Sequence, residues 1–134
     1  MKYWNDINGS TFFNMIFTSS VAINEIRLFI LNIDNNYSTI TLGFDIPEIP
    51  DILPAKWKAI EFNACRIGLK CSEIENLSIK NLPNQNDLRL NIDNRNSRLL
   101  VSATSKNSSI SFTTSFINLE EPSVYLTKTP FLSK

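Results

Sequence analysis

Carboxylates and thiols are the side chains to consider first for catalysis or metal binding, because this sequence contains no histidine. The absence of an imidazole excludes Ser-His-Asp and Cys-His nucleophile pairs and every zinc site that uses histidine. The three glycines, Gly9, Gly43 and Gly68, are too far apart to form a phosphate-binding loop of either common type. The aspartates do not show the spacing of a calcium-binding loop.

Two pairs of glutamates remain as candidates for acid–base chemistry: Glu73 with Glu75, and Glu120 with Glu121. Glu73 and Glu75 have the same parity along an extended chain, so both side chains point to one face. Nothing nearby in the sequence predicts the burial that would raise the pKa of either carboxyl group. We therefore interpret them as solvated surface charges, and the sequence predicts no catalytic residue, no metal site and no cofactor.

Cys65 and Cys71 lie in what the sequence predicts to be one strand. Six residues of extended chain cover roughly 20 Å, whereas a disulfide requires Cα atoms within about 7 Å of each other. Because their spacing is even, both thiols face the same side of the strand as small apolar side chains. Burial as free cysteines is favoured over redox or metal chemistry.

The composition is that of one globular domain covering residues 1–134. An apolar content of 43% is enough for a core. Thirteen basic residues balance thirteen acidic ones, so the chain is less basic than most nucleic-acid or membrane-surface binders. The N-terminal residues lack the apolar segment of a secretory signal, and no apolar run approaches the roughly 20 residues of a membrane span. We expect a reduced, cytoplasmic setting.

The stretch LGFDIPEIPDILPAKWKAIEFN, residues 42–63, is predicted to be a rigid arch between two strands. Pro47, Pro50 and Pro54 each fix φ and remove a backbone donor, so the arch cannot join a strand ladder before Trp57. Large apolar residues on the arch are predicted to fold back over one end of the sheet, with Trp57 as the plug. They are Ile49, Ile52, Leu53 and Trp57.

Alternating apolar and polar residues predict strands along the rest of the chain. The first hairpin is predicted from Val21–Ile33 and Thr39–Ile46, with Ile26, Leu28 and Ile30 on one apolar face. A further strand is predicted from Ala59 to Cys71, with a change of parity near Asn63 that indicates a bulge or bend. Shorter strands follow around residues 77–80, 88–93, 99–103, 110–116 and 124–126.

This spacing predicts a mainly β fold, an antiparallel β-sandwich or open barrel of about seven to nine strands. Residues 10–17 are predicted to form one short N-terminal helix with Ser10 as its cap. Asn63 is expected to satisfy backbone groups that the bend leaves unpaired.

The run FDIPEIPDILPAKW followed by FN, together with WNDINGS near the N-terminus, resembles the immunity protein 50 family of bacterial polymorphic toxin and contact-dependent growth inhibition systems. The likeness covers most of the chain. It implies a small, mostly β protein that binds and neutralises a toxin. The residues that carry it are scaffold-like: Trp4, Phe44, Pro47, Pro50, Pro54, Lys56, Trp57 and Asn63.

The resemblance implies that the partner is the C-terminal domain of a cognate toxin, bound one-to-one. The balanced charge of the chain predicts no nucleic-acid or membrane partner. If the toxin is a nuclease, its active site is basic, so acidic residues at one end of the sheet would complement it. The candidate toxin-binding residues are Glu48 and Asp51 on the arch and Glu73 and Glu75 across the next turn.

Two other functions stay open on the sequence alone. Tyr3, Tyr37 and Tyr125 are aromatic side chains that could stack on a sugar, as expected of a non-catalytic module that binds carbohydrate or lipid. An exposed edge strand could instead pair two subunits. When free, the chain is expected to be a monomer or a weak dimer.

Overall fold

A computed structural model of the chain describes residues 1–84 and 86–131, and the fold is mainly β. One helix, α1 (Thr11–Ile16), precedes eight strands, and short 3₁₀ turns occupy Trp4–Asp6 and Ala55–Trp57. The strands are β1 (Glu25–Asp34), β2 (Thr39–Ile46), β3 (Ala64–Ser72), β4 (Glu75–Lys80), β5 (Leu88–Arg95), β6 (Arg98–Thr104), β7 (Ser109–Thr114) and β8 (Phe116–Tyr125).

All eight strands form one antiparallel sheet in the order β4-β7-β6-β5-β1-β2-β3-β8. β4 and β8 are its two edges, so the sheet is not closed into a barrel. The predicted mainly β, antiparallel fold of about seven to nine strands with one short N-terminal helix is confirmed.

The two halves of the sheet share only a short link. β1 pairs with β5 at Glu25 and Ile26, and then the two strands diverge. Buried residues from both halves nevertheless form one hydrophobic core, which also takes in the N-terminal segment. Its largest fully buried side chains are Trp4, Phe13, Phe44, Phe112, Ile7, Ile16, Ile26, Ile40, Leu42, Ile46, Leu69 and Leu88.

A β-bulge interrupts the first hairpin. The register of β1 on β2 shifts between Leu28 and Ile30, which leaves Phe29 as the extra residue. The bulge reverses the parity of β1, so Ile30 is 49% exposed. The prediction that Ile30 shares the buried face of Ile26 and Leu28 is therefore wrong.

The arch follows the prediction in part. Trp57 is buried and packs edge-on against Phe12, with 5.5 Å between ring centroids. Ile49 and Ile52 are 41% and 45% exposed, so the prediction that they fold back over the sheet is wrong. The backbone explains this result, because the N–H groups of Asp51 and Ile52 both donate to the carbonyl of Ile16 and fix the arch on the end of α1.

β3 begins at Ala64, so the predicted strand start at Ala59 is wrong. A 3₁₀ turn at Ala55–Trp57 lies just before that position instead, and the N–H of Ile60 donates to the carbonyl of Trp57 at 3.1 Å. Asn63 lies at the bend just before β3. Its side chain donates to the carbonyl of Thr127 and accepts from the N–H of the same residue, both at 2.9 Å. Asn63 thus fastens the start of β3 to the segment after β8.

The C-terminal strands also differ from the prediction. Residues 110–116 are not one strand, because Phe116 begins β8 rather than ending β7. β8 then continues through Pro122, where a separate last strand was predicted. An edge strand tolerates proline because one of its sides needs no ladder donor.

The N-terminal segment covers part of the outer edge of β8. The N–H of Leu119 donates to the carbonyl of Asn8 at 2.7 Å, and Trp4 packs against Phe44 with 5.3 Å between ring centroids. Ser10 precedes α1, but its hydroxyl donates to the Asn5 carbonyl instead of capping the helix. The predicted side-chain cap is therefore wrong.

Candidate functional site

A cleft of about 620 Å³ lies where the bulge of β1 meets the neighbouring strands and two connecting segments. β1, β2, β3 and β8 supply its floor, and residues 82–84 and 127–129 supply its walls. The lining residues are Arg27, Leu28, Phe29, Leu31, Asp45, Arg66, Leu82, Pro83, Asn84, Tyr125, Thr127 and Thr129.

The guanidinium of Arg66 is held between two aromatic rings in this cleft. Its central carbon lies 3.2 Å from the centre of the Phe29 ring and 4.4 Å from that of Tyr125. Cations stack favourably on aromatic faces, more so where water is partly excluded. Phe29 is on β1 and Arg66 on β3, so the Phe29 ring reaches across β2 to make this contact.

Gly43 on β2 provides the room for that reach. A Cβ atom at residue 43 would lie 3.3 Å from Cε2 of Phe29 and 3.4 Å from Cβ of Ile30. Because glycine has no side chain, the bulged Phe29 ring can lie over this position. The bulge and the glycine together place an aromatic ring beside Arg66.

Asp45, Arg66 and Tyr125 form a hydrogen-bonded network beneath the rings. Asp45 and Arg66 are direct cross-strand partners, and Nε of Arg66 donates to Oδ1 of Asp45 at 3.3 Å. The Tyr125 hydroxyl donates to the other oxygen of Asp45 and accepts from Nη2 of Arg66 at 3.0 Å. Asp45 is only 7% exposed, so these partners offset the cost of burying its charge.

The Tyr125 hydroxyl remains a proton donor in this setting. Burial is the main cause that raises its pKa above the ordinary value, and the hydrogen bond to Asp45 and the charge of that carboxylate raise it further. Arg66 acts in the opposite direction, with a smaller effect. At neutral pH the Tyr125 hydroxyl therefore keeps its proton.

Arg27 closes one end of the cleft. Its Nε donates to Oδ1 of Asp87 at 2.8 Å, and Nη1 donates to the carbonyl of Thr129. The guanidinium also lies 4.6 Å from the centre of the Phe131 ring. These contacts join β1 to the segment before β5 and to the segment after β8.

This arrangement is suited to recognition of a partner. The two arginines that line the cleft, Arg27 and Arg66, are engaged by Asp87 and Asp45, while aromatic and aliphatic side chains form much of the surface. Tyr and Arg are enriched among the residues that dominate protein interfaces. Over residues 1–84 and 86–131, no group of three or more His, Cys, Asp or Glu side chains is arranged to hold a metal.

The two cysteines lie on the core face of β3. Both are free and buried. Burial raises the pKa of Cys71 to about 12. Burial does the same for Cys65, to about 12, and the charges of Asp45 and Glu48 add to that effect.

The structure separates the four predicted acidic residues into two pairs at opposite ends of the sheet. Glu48 and Asp51 follow the end of β2 where Ile46 pairs with Cys65, whereas Glu73 and Glu75 follow the end of β3 where Ser72 pairs with Thr39. Seven residues of strand separate these ends, or about 23 Å. The prediction that all four lie at one end is wrong, because the arch and the β3–β4 turn leave from opposite ends of adjacent strands.

The four acidic residues differ in their local surroundings. Oδ1 of Asp51 accepts the N–H of Thr18 at 3.0 Å, and Oδ2 accepts the Thr18 hydroxyl. Glu48 is an exposed residue, although partial burial of its carboxyl group raises the pKa of that group. Oε1 of Glu75 lies 3.3 Å from Nε of Arg98, which also donates through Nη2 to the carbonyl of Glu73.

The three tyrosines considered for sugar stacking do not converge on one place. Tyr37 is 74% exposed in the β1–β2 turn, and Tyr3 bridges to Ala22 in the N-terminal segment. Tyr125 is in the cleft, but one face of its ring is occupied by Arg66.

Sequence reasoning missed the cleft residues Phe29, Asp45 and Arg66. One signal was available: Gly43 is an isolated glycine inside a strand pattern, which often marks a bulge or a close approach of another group.

The fold and the cleft define a small antiparallel β domain whose charged groups hold one another in place and whose surface keeps large apolar side chains. The family model of immunity protein 50 matches residues 9–125, and the chain belongs to that family. It is therefore an immunity protein, a class whose partner is a toxin. No curated protein and no solved structure matches the chain. None of the helices among the described residues has the length and apolarity to cross a bilayer.

Proposed function

We propose that this protein neutralises a cognate toxin domain in the cytoplasm by forming a stoichiometric, one-to-one complex with it. Family membership over residues 9–125 is the observation that carries the proposal. The toxin is the product of the gene encoded beside it, in a polymorphic toxin or contact-dependent growth inhibition system.

The cleft supports a binding role in this proposal. Arg66 is fixed by two rings and two hydrogen-bond partners, so it loses little freedom when a partner arrives. A pre-organised Arg–aromatic cluster is the type of anchor on which tight interfaces depend. Protection of a cell requires tight binding, and a nanomolar complex corresponds to about −12 kcal/mol.

The direct test is co-purification and titration with the toxin domain encoded beside this protein. We expect one complex by size-exclusion light scattering, with toxin activity falling to zero at an equimolar ratio. A toxin domain from another family is the matched control and should remain active. Failure to form a complex with the neighbouring toxin domain would defeat the proposal.

The two acidic pairs are separate candidate contacts. Glu48→Lys and Glu73→Lys reverse one exposed charge at each end of the sheet, and Glu121→Lys does the same on β8 as a control. If the toxin presents a basic surface, the substitution at the end it contacts should weaken binding and reduce its salt dependence. If all three variants bind the toxin domain with equal affinity, these carboxylates do not contribute to the interface. The proposal that the two proteins bind would then still stand.

A module that binds a small ligand is the second candidate, favoured by the size of the cleft. Its volume of about 620 Å³ lies within the range of small-molecule sites. A glycan array and a thermal-shift screen of sugars and lipids distinguish this candidate. A ligand that stabilises the wild type but not Arg66→Met would support it, and a protein that binds only the toxin would contradict it.

A further inference from the structure

The second half of β1 has a strand neighbour on one side only. β1 pairs with β2 from Arg27 to Asp34, but its pairing with β5 ends at Ile26. Within the described residues, no strand lies along the other side of Ile30–Asp34, whose register on β2 is regular. These five residues present about 17 Å of backbone edge.

This edge lacks the usual protection against pairing. Edge strands normally carry charge or proline, or are covered by another segment. The edge strand β8, for example, contains Pro122, and its Leu119 donates a hydrogen bond to the carbonyl of Asn8. The run from Leu28 to Ile33, LFILNI, contains no charge, proline or glycine. Ile30 and Ile33 are 49% and 47% exposed.

A cavity lies beside each end of this edge. Leu28, Phe29 and Leu31 line the 620 Å³ cleft described above. A second cavity, of about 240 Å³, lies at the tip between β1 and the start of β4. Its lining residues are Ile33, Asp34, Asn35, Ser38, Thr39, Ile40, Ile74, Glu75, Asn76 and Leu77. An added strand would thus have pockets for its side chains beside a ladder for its backbone, which is how strand addition combines affinity with specificity.

The charges at the tip indicate the chemistry of the added strand. Asp34 and Glu75 are the charged residues that line the second cavity, and both are acidic. Arg98 lies 3.3 Å from Glu75, but the Glu75 side chain is still 66% exposed. At the opposite end, Arg27 is engaged by Asp87. The edge is therefore complementary to an apolar strand that carries Lys or Arg near Asp34.

We propose that the outer edge of Ile30–Asp34 is the toxin-docking strand, to which an extended, apolar segment of the toxin domain with a basic residue at the Asp34 end adds as a further strand. This inference rests on the proposed function and assigns its surface. A second copy of this chain fits less well. In a twofold antiparallel pairing centred on Asn32, Asp34 would face Ile30 of that copy and find no opposite charge.

The test measures the affinity of the neighbouring toxin domain for a double variant, Ile30→Lys with Ile33→Lys. Two exposed lysines on the edge should obstruct strand addition and raise Kd by at least about tenfold. Ile60→Lys is the matched control, since Ile60 is 45% exposed and lies outside every strand. It should bind within about twofold of the wild type. The charge-neutral pair Asp34→Asn with Glu75→Gln should weaken binding and flatten its salt dependence.

Hydrogen exchange on the wild-type complex gives a readout independent of substitution. Backbone amides within residues 30–34 should gain protection when the toxin binds, because the outward-pointing groups acquire partners. A complex that forms without added protection there, and with equal affinity for the double variant and the control, would overturn the inference while the proposed function stands.

Two further outcomes also decide the matter. A wild type that does not bind the toxin domain would overturn both proposals. The free wild-type protein could also form a dimer by light scattering, with that dimer lost only in the double variant. That result would assign the edge to a second copy of the chain and overturn the proposal that the toxin binds there.

Discussion

The ring of Phe29 crosses over Gly43 to meet the guanidinium of Arg66, with 3.2 Å between the central carbon and the ring centre. This contact couples β1 to β3 without the strand between them contributing a side chain. Since Arg66 also holds Asp45 and Tyr125, four residues from four strands depend on one another. The first prediction concerns the centre of this group.

Arg66→Met should lower the free energy of unfolding by about 1–3 kcal/mol, because it leaves the buried Asp45 carboxylate without its charged partner. Urea unfolding at pH 7 measures the change. Lys70→Met on the same strand is the control, since Lys70 is exposed, and it should change stability by less than about 0.5 kcal/mol. Adding Asp45→Asn to Arg66→Met should recover part of the loss. Equal stability of Arg66→Met and the control would contradict the structural role of the network.

Gly9→Ala should destabilise the protein by loosening the N-terminal segment from β8. Gly9 has φ of +91°, and a Cβ atom there would lie 2.6 Å from the carbonyl oxygen of Leu119. The left-handed backbone and the collision with a main-chain atom each oppose the substitution, by about 1–3 kcal/mol together. Thermal unfolding should show a lower Tm than Thr11→Ala, an exposed neighbour. A Tm equal to that control would show that the segment can move aside freely.

Neither thiol should react in the folded protein at pH 8. The pKa of Cys65 and that of Cys71 are each raised to about 12, so thiolate is scarce, and both sulfurs are buried. A disulfide reagent such as DTNB should detect two thiols in the denatured protein. In the folded protein it should detect no rapidly reacting thiol. Ser97→Cys, in the exposed β5–β6 turn, should add one rapidly reacting thiol. Fast labelling of the wild type would contradict the position of β3.

The same thiols predict a loss of stability in alkali. Their pKa values are higher in the folded protein than the ordinary value of 9.0, so the folded state holds its protons while the unfolded chain releases them. The stability they contribute is complete below pH 9 and is lost as the pH rises from 9 towards 12. Cys65→Ala with Cys71→Ala should show a shallower fall over that interval when unfolding is measured at each pH. An identical slope would contradict this prediction.

Asp51→Asn should weaken the attachment of the arch to α1. Hydrogen bonds from the hydroxyl and the N–H of Thr18 lower the pKa of Asp51 below 3.8. The stability this carboxylate contributes is present above pH 3.8 and is lost as the pH falls through its lower folded-state pKa. The variant should have a lower free energy of unfolding at pH 7 than the wild type. That free energy should also change less as the pH falls below 3.8. Asp93→Asn, an exposed substitution on β5, is the reference, and matching profiles for the two would contradict the anchoring role.

The sequence predicted those parts of the fold that local patterns control. The alternation of Ile40, Leu42, Phe44 and Ile46 identified β2, and all four are buried. It failed where one residue changes the pattern: the extra Phe29 reverses the parity of β1. It also failed where distant segments decide an outcome, because the bonds from residues 51 and 52 to Ile16 that expose part of the arch join segments 35 residues apart.

The site was harder to predict than the fold. A cross-strand pair such as Asp45 and Arg66 depends on the register between two strands separated by the arch, and periodicity does not fix that register. The acidic residues were identifiable as exposed charges, but their separation follows from the directions in which the chain leaves adjacent strands. Strand direction is a property of the completed sheet.

The position of β8 after all the other strands has a consequence for how the domain folds during synthesis. β3 pairs with β8 along most of its length, so residues 64–72 lack a second neighbour until residues 116–125 have left the ribosome. The segment around Asn8, synthesised before β8, also bonds to that strand. Contacts so distant in sequence slow folding. The complete sheet should therefore form in a single late step, and nascent chains that stop before β8 should lack it.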